Sequence, residues 1–127
     1  MTRWLIVAVG GALGSIARYA LSGFVQDRTT PFFPTGTFAV NAVGCFVVGV
    51  FAGAAAANAI SPSTRLFLVV GICGGFTTFS TFGYETFRLL EDGEFWQAGV
   101  NVGGQLVVGL VAVSIGLAIA RRLWGAV

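Results

Sequence analysis

The sequence predicts an all-α membrane protein of four transmembrane helices, the third broken near its middle. Three observations carry this. Only 9% of the 127 residues are charged, against about 25% in an ordinary soluble domain. The apolar residues gather into four runs of about 20, the length a helix needs to cross the hydrocarbon core of a bilayer. Short polar segments bearing Pro, Ser or acidic residues separate the runs. A chain with so little charge cannot cover its surface for water, so most of that surface must face lipid. The length suits a single four-helix transmembrane domain, residues 1–127, with no separate soluble domain.

The first span runs from about Trp4 to Phe24. The opening MTRWLIVAVGGALGS also has the look of a signal peptide. Arg18 follows at once, however, and further spans come after it, so it is read as a mature first helix. The segment DRTTPFFP, Asp27 to Pro34, breaks the chain with two prolines. The second span then runs from about Gly36 to Ala57. SPSTR, Ser61 to Arg65, opens the third, with Ser61 as N-cap and Pro62 at the first helical position. That span lies between Arg65 and Arg88. EDGE, Glu91 to Glu94, is an acidic turn, and the fourth span runs from about Phe95 to Ala120, ahead of Arg121 and Arg122. Trp4, Trp96 and Trp124 fall near span ends, where aromatic rings anchor at the membrane interface.

Each span carries a Gly-x-x-x-Gly: Gly10/Gly14, Gly49/Gly53, Gly71/Gly75 and Gly99/Gly103. Small residues four apart let helix backbones approach closely in lipid, so the repetition predicts a tightly packed bundle. Four spans put both termini on one side with Arg3, Arg65, Arg121 and Arg122, against Arg28 and Arg88 on the other. Positive loops normally face the cytoplasm. A bias this small is compatible with insertion in both orientations and with pairing of two opposed copies.

Composition excludes several classes. A net charge of +2 does not suit a nucleic-acid partner. There is no His, no paired acid set and no nucleophile beside a base, so the chain does not read as an enzyme. Cys45 and Cys73 form no CxxC and serve as small apolar packing residues.

Polar groups inside lipid-facing spans are costly and usually functional. Arg18 lies in the first span; it is either a functional charge or an Arg at a helix end satisfied by a carboxylate or a lipid phosphate. Thr37 and Asn41, four apart, share a face of the second span and can serve as interhelical hydrogen bonds or as ligand contacts. The third span holds GGFTTFSTFGYET, Gly74 to Thr86. Two glycines followed by Thr77-Thr78 form helix poorly. A break there frees backbone carbonyls, which then need partners or line a path; in a continuous helix the hydroxyls would instead bond back to carbonyls one turn earlier. Phe76, Phe79 and Phe82 recur at intervals of three. Glu85, near the end of the span, can pair with Arg88 three residues on. Asn101 and Gln105 share a face of the fourth span. Amides and hydroxyls donate hydrogen bonds, phenyl edges are partly positive, and the full charge in span one is positive. This set suits a small anion better than a cation.

GGFTTFSTF, Gly74 to Phe82, preceded by GTFAVN, Gly36 to Asn41, and by an Arg in the first span, resembles the Fluc (CrcB) family of fluoride channels. The resemblance covers the whole chain in size, span number and motif order. It implies an antiparallel, dual-topology homodimer with two pores, lined by Asn41, Phe79 and Phe82, with Ser80 and Thr81 on the polar path and Arg18 near the vestibule; Thr37 is counted among the pore residues. It implies a structural Na⁺ at the dimer axis, held by the backbone carbonyls of Gly74 and Thr77. Glu85 matches the acidic residue after the motif. The role implied is passive export of cytoplasmic fluoride, which enters as neutral HF, across a bacterial plasma (inner) membrane. The chain departs from expectation on span four, where pore-facing hydroxyls would be expected and Asn101, Gln105 and Gly109 stand instead; Asn101, Gln105 and Glu85 are carried as a polar track.

Two rivals remain. A small dual-topology multidrug or cation exporter needs a carboxylate at membrane depth, whereas span one offers Arg18 and Glu85 sits near a span end. A non-transporting assembly subunit explains the glycines and leaves the Phe and hydroxyl residues idle.

Overall fold

A computed structural model describes residues 2–125. Helix α1 (Thr2–Gln26) and α2 (Thr35–Ala56) are continuous. The third span is composite. One turn of helix, α3 (Pro62–Arg65), runs into a π-helix (Leu66–Cys73) and a short α4 (Gly74–Phe76). Thr77 and Thr78 are extended (φ −79°, ψ 156° and φ −148°, ψ 119°) and α5 (Phe79–Glu91) restarts the helix. α6 (Phe95–Trp124) is the last helix among the described residues. Among the described residues, four stretches, Thr2–Gln26, Thr35–Ala56, Pro62–Glu91 and Phe95–Trp124, are long and apolar enough to cross a membrane. The expected break is therefore present, at the two threonines that follow the glycine pair. The π-helix had no forecast; its i→i+5 bonds widen the turn and are often met at functional sites.

Local chemistry explains the ends. Ser61 Oγ accepts from the Thr64 N–H at 3.1 Å, with Pro62 just inside the helix. Gly125 takes the left-handed conformation, φ 64°, that stops α6 after Arg121 and Arg122 in its last turn. α2 begins after Pro34 with no side-chain cap of its own. Gln26, at the end of α1, serves instead. Its Oε1 accepts from the Gly36 N–H at 3.1 Å, and its Nε2 donates to the Thr30 and Phe33 carbonyls, both at 3.1 Å. One amide thus ties the Asp27–Pro34 turn together. Thr29 and Thr35 also join their hydroxyls across it.

The helices pack as two parallel pairs, α1 with the first half of span three and α2 with α6. A Cβ on Gly10 would lie 2.8 Å from the Phe67 carbonyl oxygen and 2.9 Å from the Gly71 Cα, so these backbones touch directly. Gly49 and Gly116 do the same between α2 and α6: a Cβ on Gly49 would overlap the Val113 carbonyl, and one on Gly116 the Phe46 carbonyl. Such closeness supplies dispersion contact where lipid offers no hydrophobic drive. The fourth motif behaves differently: Gly99 and Gly103 face open space in the chain. Outward faces are apolar, with Leu5, Leu13, Leu106, Val107 and Leu110 all exposed, as suits lipid or another protein surface. The four arginines Arg3, Arg65, Arg121 and Arg122 share one end of the bundle, while Asp27, Glu91, Asp92 and Glu94 lie at the other with Arg28 and Arg88.

Candidate functional site

The site is built on the break. Where α4 stops, the Thr78 N–H no longer reaches back to the Gly74 carbonyl. It donates instead to Asn41 Oδ1 at 2.9 Å, and Asn41 Nδ2 donates to the Thr78 carbonyl at 3.1 Å. A single amide on α2 thus pairs with both main-chain groups of the interrupted residue, which is itself buried. Thr78 is also the N-cap of α5. Its Oγ1 accepts from the Thr81 N–H at 3.2 Å, while its own hydroxyl donates to Thr81 Oγ1 at 3.0 Å. Ser80, exposed, brings its hydroxyl to 3.3 Å of the same oxygen.

From Asn41 a polar file crosses to α6. Asn41 Nδ2 donates to Gln105 Oε1 at 2.7 Å, Gln105 Nε2 to Asn101 Oδ1 at 2.9 Å, and Asn101 Nδ2 to Thr86 Oγ1 at 2.9 Å. The Thr86 hydroxyl donates to the Phe82 carbonyl at 2.7 Å. Asn101 is wholly buried at 0% exposure; it is held between α5 and α6 and has no access to an open path. The predicted interhelical role of these amides is thus realised, and it coexists with a lining role for two of them.

Asn41, Thr77, Thr78, Phe79, Phe82 and Gln105 border a cavity of about 500 Å³ between α2, α5 and α6. Phe79 and Phe82 stand with ring centroids 5.5 Å apart and planes tilted by 47°. Phe79 is 83% exposed, so the cavity is a groove on the chain's own surface. A second cavity, of about 730 Å³, is bordered by Ser15, Arg18, Thr37, Thr78 and Thr81. Thr78 lines both. The expected site residues therefore divide: the phenyls, Asn41 and Gln105 on the groove, Arg18, Thr37 and Thr81 on the wider cavity.

One expected contact is replaced. Arg88 pairs with Glu91 at 3.2 Å, among exposed side chains. Glu85 accepts from the Thr37 hydroxyl at 2.8 Å instead, and its Oε2 is buried with no partner among the described residues. Glu85 lies toward the bundle interior, reaching α2, whereas Arg88 is on the exposed side near the helix end. The phenyl series is also cut: Phe76 belongs to α4, before the break, and only Phe79 and Phe82 share α5.

Gly74, exposed at the head of α4, and Thr77 just past its end place their carbonyls at the C-terminal, electronegative side of the break. The first turn of α5 presents the electropositive side. Broken helices in membranes offer both poles in this way. Among the described residues no group of three or more His, Cys, Asp or Glu could hold a metal.

Sequence reasoning placed Cys45 among the packing residues and not on the groove, which it lines, and it missed the parts played by Thr86 and Gln26. Cys45 carries no such signal in sequence. For Thr86 the only signal was a hydroxyl in a membrane span, able to accept from an amide such as Asn101 once packing brings the two helices together.

Residues 5–117 match the family model described as CrcB-like protein, Camphor Resistance (CrcB). The chain is 48% identical over 124 residues to the fluoride-specific ion channel FluC of Geobacter sulfurreducens, covering 97% of this chain and 100% of that protein. It is 47% identical over 119 residues to that of Opitutus terrae, covering 91% and 90%. With a FluC of Thermus thermophilus the identity is 44% over 125 residues, covering 98% and 100%. Four membrane-length helices, an interrupted third and near-complete coverage of these relatives agree, and the chain belongs to the CrcB (FluC) family, a family of multi-pass, non-enzymatic membrane proteins.

Proposed function

We propose that this chain is a fluoride-selective channel through which cytoplasmic fluoride leaves a bacterial cell passively across the plasma (inner) membrane. Residues 1–127 act as one transmembrane domain, and the working unit is an antiparallel, dual-topology homodimer with two pores. The observation that carries this reading is the groove itself: two phenyl rings, Phe79 and Phe82, beside the amides of Asn41 and Gln105, at a break in a membrane-spanning helix. An anion that sheds water needs hydrogen-bond donors in return. Phenyl edges, amide N–H groups and the hydroxyls of Ser80 and Thr81 supply them without a full positive charge that would trap the ion. Arg18, beside Thr37 on the wider cavity, raises the local concentration of anions at the vestibule. A groove this open, with Phe79 largely uncovered, needs a second wall to keep lipid out, and another copy of the chain supplies it.

A structural Na⁺ belongs to this reading, at the axis between the two copies. The chemistry of the donor set fits. The N–H that would occupy the Gly74 carbonyl in an unbroken helix is committed to Asn41, and Thr77 lies in extended backbone outside either helix. The carbonyls of Gly74 and Thr77 would hold the ion, two from each copy. Bound there, Na⁺ supplies a fixed positive charge that makes a low-dielectric path more hospitable to an anion.

The test is fluoride release from liposomes loaded with the purified protein, followed with a fluoride-selective electrode, with chloride release in parallel. Fluoride release on clamping the potential, with chloride retained, is expected. Impermeability to fluoride under the same conditions overturns the proposal.

A further inference from the structure

The direction of the polar file is not a free choice, and its fixed end is the break. A main-chain N–H can only donate and a carbonyl can only accept. Thr78 therefore dictates how the Asn41 amide stands, Oδ1 toward the N–H at 2.9 Å and Nδ2 toward the carbonyl at 3.1 Å. The second hydrogen of that Nδ2 goes to Gln105, so the atom of Gln105 facing it must be Oε1, at 2.7 Å. Gln105 in consequence turns Nε2 toward Asn101, which must offer Oδ1, at 2.9 Å. Asn101 Nδ2 then donates to Thr86 Oγ1, and the Thr86 hydrogen passes to the Phe82 carbonyl. All the bonds run one way, so each polarises the next.

A primary amide has two N–H groups. Asn41 has committed both, to Thr78 and Gln105. Asn101 is wholly buried. Gln105 is only half-buried, borders the groove with Phe79 and Phe82, and has committed one of its two. We infer that Gln105 is the amide that donates to the anion in the groove, and that Asn101 and Thr86, which do not touch the anion, are positioning residues that tether its Nε2 so that the uncommitted N–H points into the groove. This inference rests on the reading of the groove as the fluoride path. Released from Asn101, the Gln105 amide keeps Oε1 on Asn41 but can rotate about that one bond, so that its free N–H no longer points into the groove.

Liposome fluoride flux, with folding checked by gel filtration of the purified dimer, tests this on Gln105→Leu, Asn101→Leu, the double variant, Thr86→Val and Thr86→Ser. Each Leu variant is expected to lose about tenfold in flux, the value of one hydrogen bond to a charged group. The double variant loses no more than the worse single, because Asn101 acts through Gln105. Thr86→Val loses flux and Thr86→Ser, which keeps the acceptor, retains it. If the two single losses multiply in the double variant, the positioning role is overturned. Full flux in Asn101→Leu and Thr86→Val alongside a loss in Gln105→Leu overturns it too, and leaves the path reading standing. Full flux in Gln105→Leu overturns the donor assignment. Phe82→Ile, run beside it, reports separately whether the groove is the path. Should Asn101→Leu not fold, the near-isosteric Thr86→Val and its Ser counterpart decide.

Discussion

Replacing Asn41 by Leu, which has the same branched shape but somewhat more bulk, removes the three hydrogen bonds that join α2 to the break and to α6, at 2.9, 3.1 and 2.7 Å. Interhelical polar contacts in membranes average about 0.6 kcal/mol each, so their loss amounts to about 2 kcal/mol. The Thr78 N–H, on a residue only 8% exposed, is then stranded, which adds about 1–2 kcal/mol. The expected destabilisation is roughly 3–4 kcal/mol, read by steric trapping or thermal unfolding in lipid. Asn41→Asp separates the two roles of this residue. A carboxylate still accepts from the Thr78 N–H, so part of the stability returns, but it faces the Thr78 carbonyl and Gln105 Oε1 and places a negative charge on the groove. That variant is expected to fold better than Asn41→Leu and to pass no fluoride. A Leu variant within about 0.5 kcal/mol of the parent, the margin typical of changes that touch nothing important, would refute the idea that Asn41 holds the break. An Asp variant conducting normally would show that Asn41 only packs.

Phe79→Ile or Phe82→Ile should cut fluoride release from liposomes while gel filtration still shows a folded dimer; unchanged flux in both removes the phenyl-edge contribution. Gly116→Ala drives a Cβ into the Phe46 carbonyl and within 2.9 Å of the Val50 nitrogen, and should cost about 1–3 kcal/mol. Gly103→Ala, with nothing within 4 Å of the new methyl, should leave the chain's own packing intact, and thermal unfolding of the two variants side by side measures the contrast. Exchanging Na⁺ for a large organic cation should lower flux or loosen the dimer; identical flux and dimer stability in both media would count against the axial cation.

Element existence was legible because its causes are local. Low charge and run length set the four spans, Ser61-Pro62 set the start of the third, and Gly74-Gly75 with Thr77-Thr78 announced the interruption. The pairing of Thr37 with Asn41 and of Asn101 with Gln105 followed from helical spacing, and all four do face other helices. Which helix each would meet was not legible. Glu85 sits three residues from Arg88, the right spacing for a pair, yet Thr37 is 48 positions away and takes the carboxylate because helix packing brings it there. Gln26 as a substitute cap for α2 is hidden for the same reason: the hydrogen bonds cross a turn whose shape no spacing rule supplies. The Gly-x-x-x-Gly motifs were identical in sequence and differ in use, since three meet a neighbour within the chain and Gly99/Gly103 do not.

The widened π-helical stretch Leu66–Cys73 acts as a phase spacer between the anchored start of span three at Ser61 and the interruption at Thr77–Thr78. An α-helix turns through about 100° per residue, and a π-helix through less. Restoring regular α pitch through Leu66–Cys73 with no residue removed would swing everything beyond it around the helix axis, carrying Thr78 away from the one amide that satisfies it. The angular setting of the second half of this span is therefore written upstream, in residues that never approach the groove.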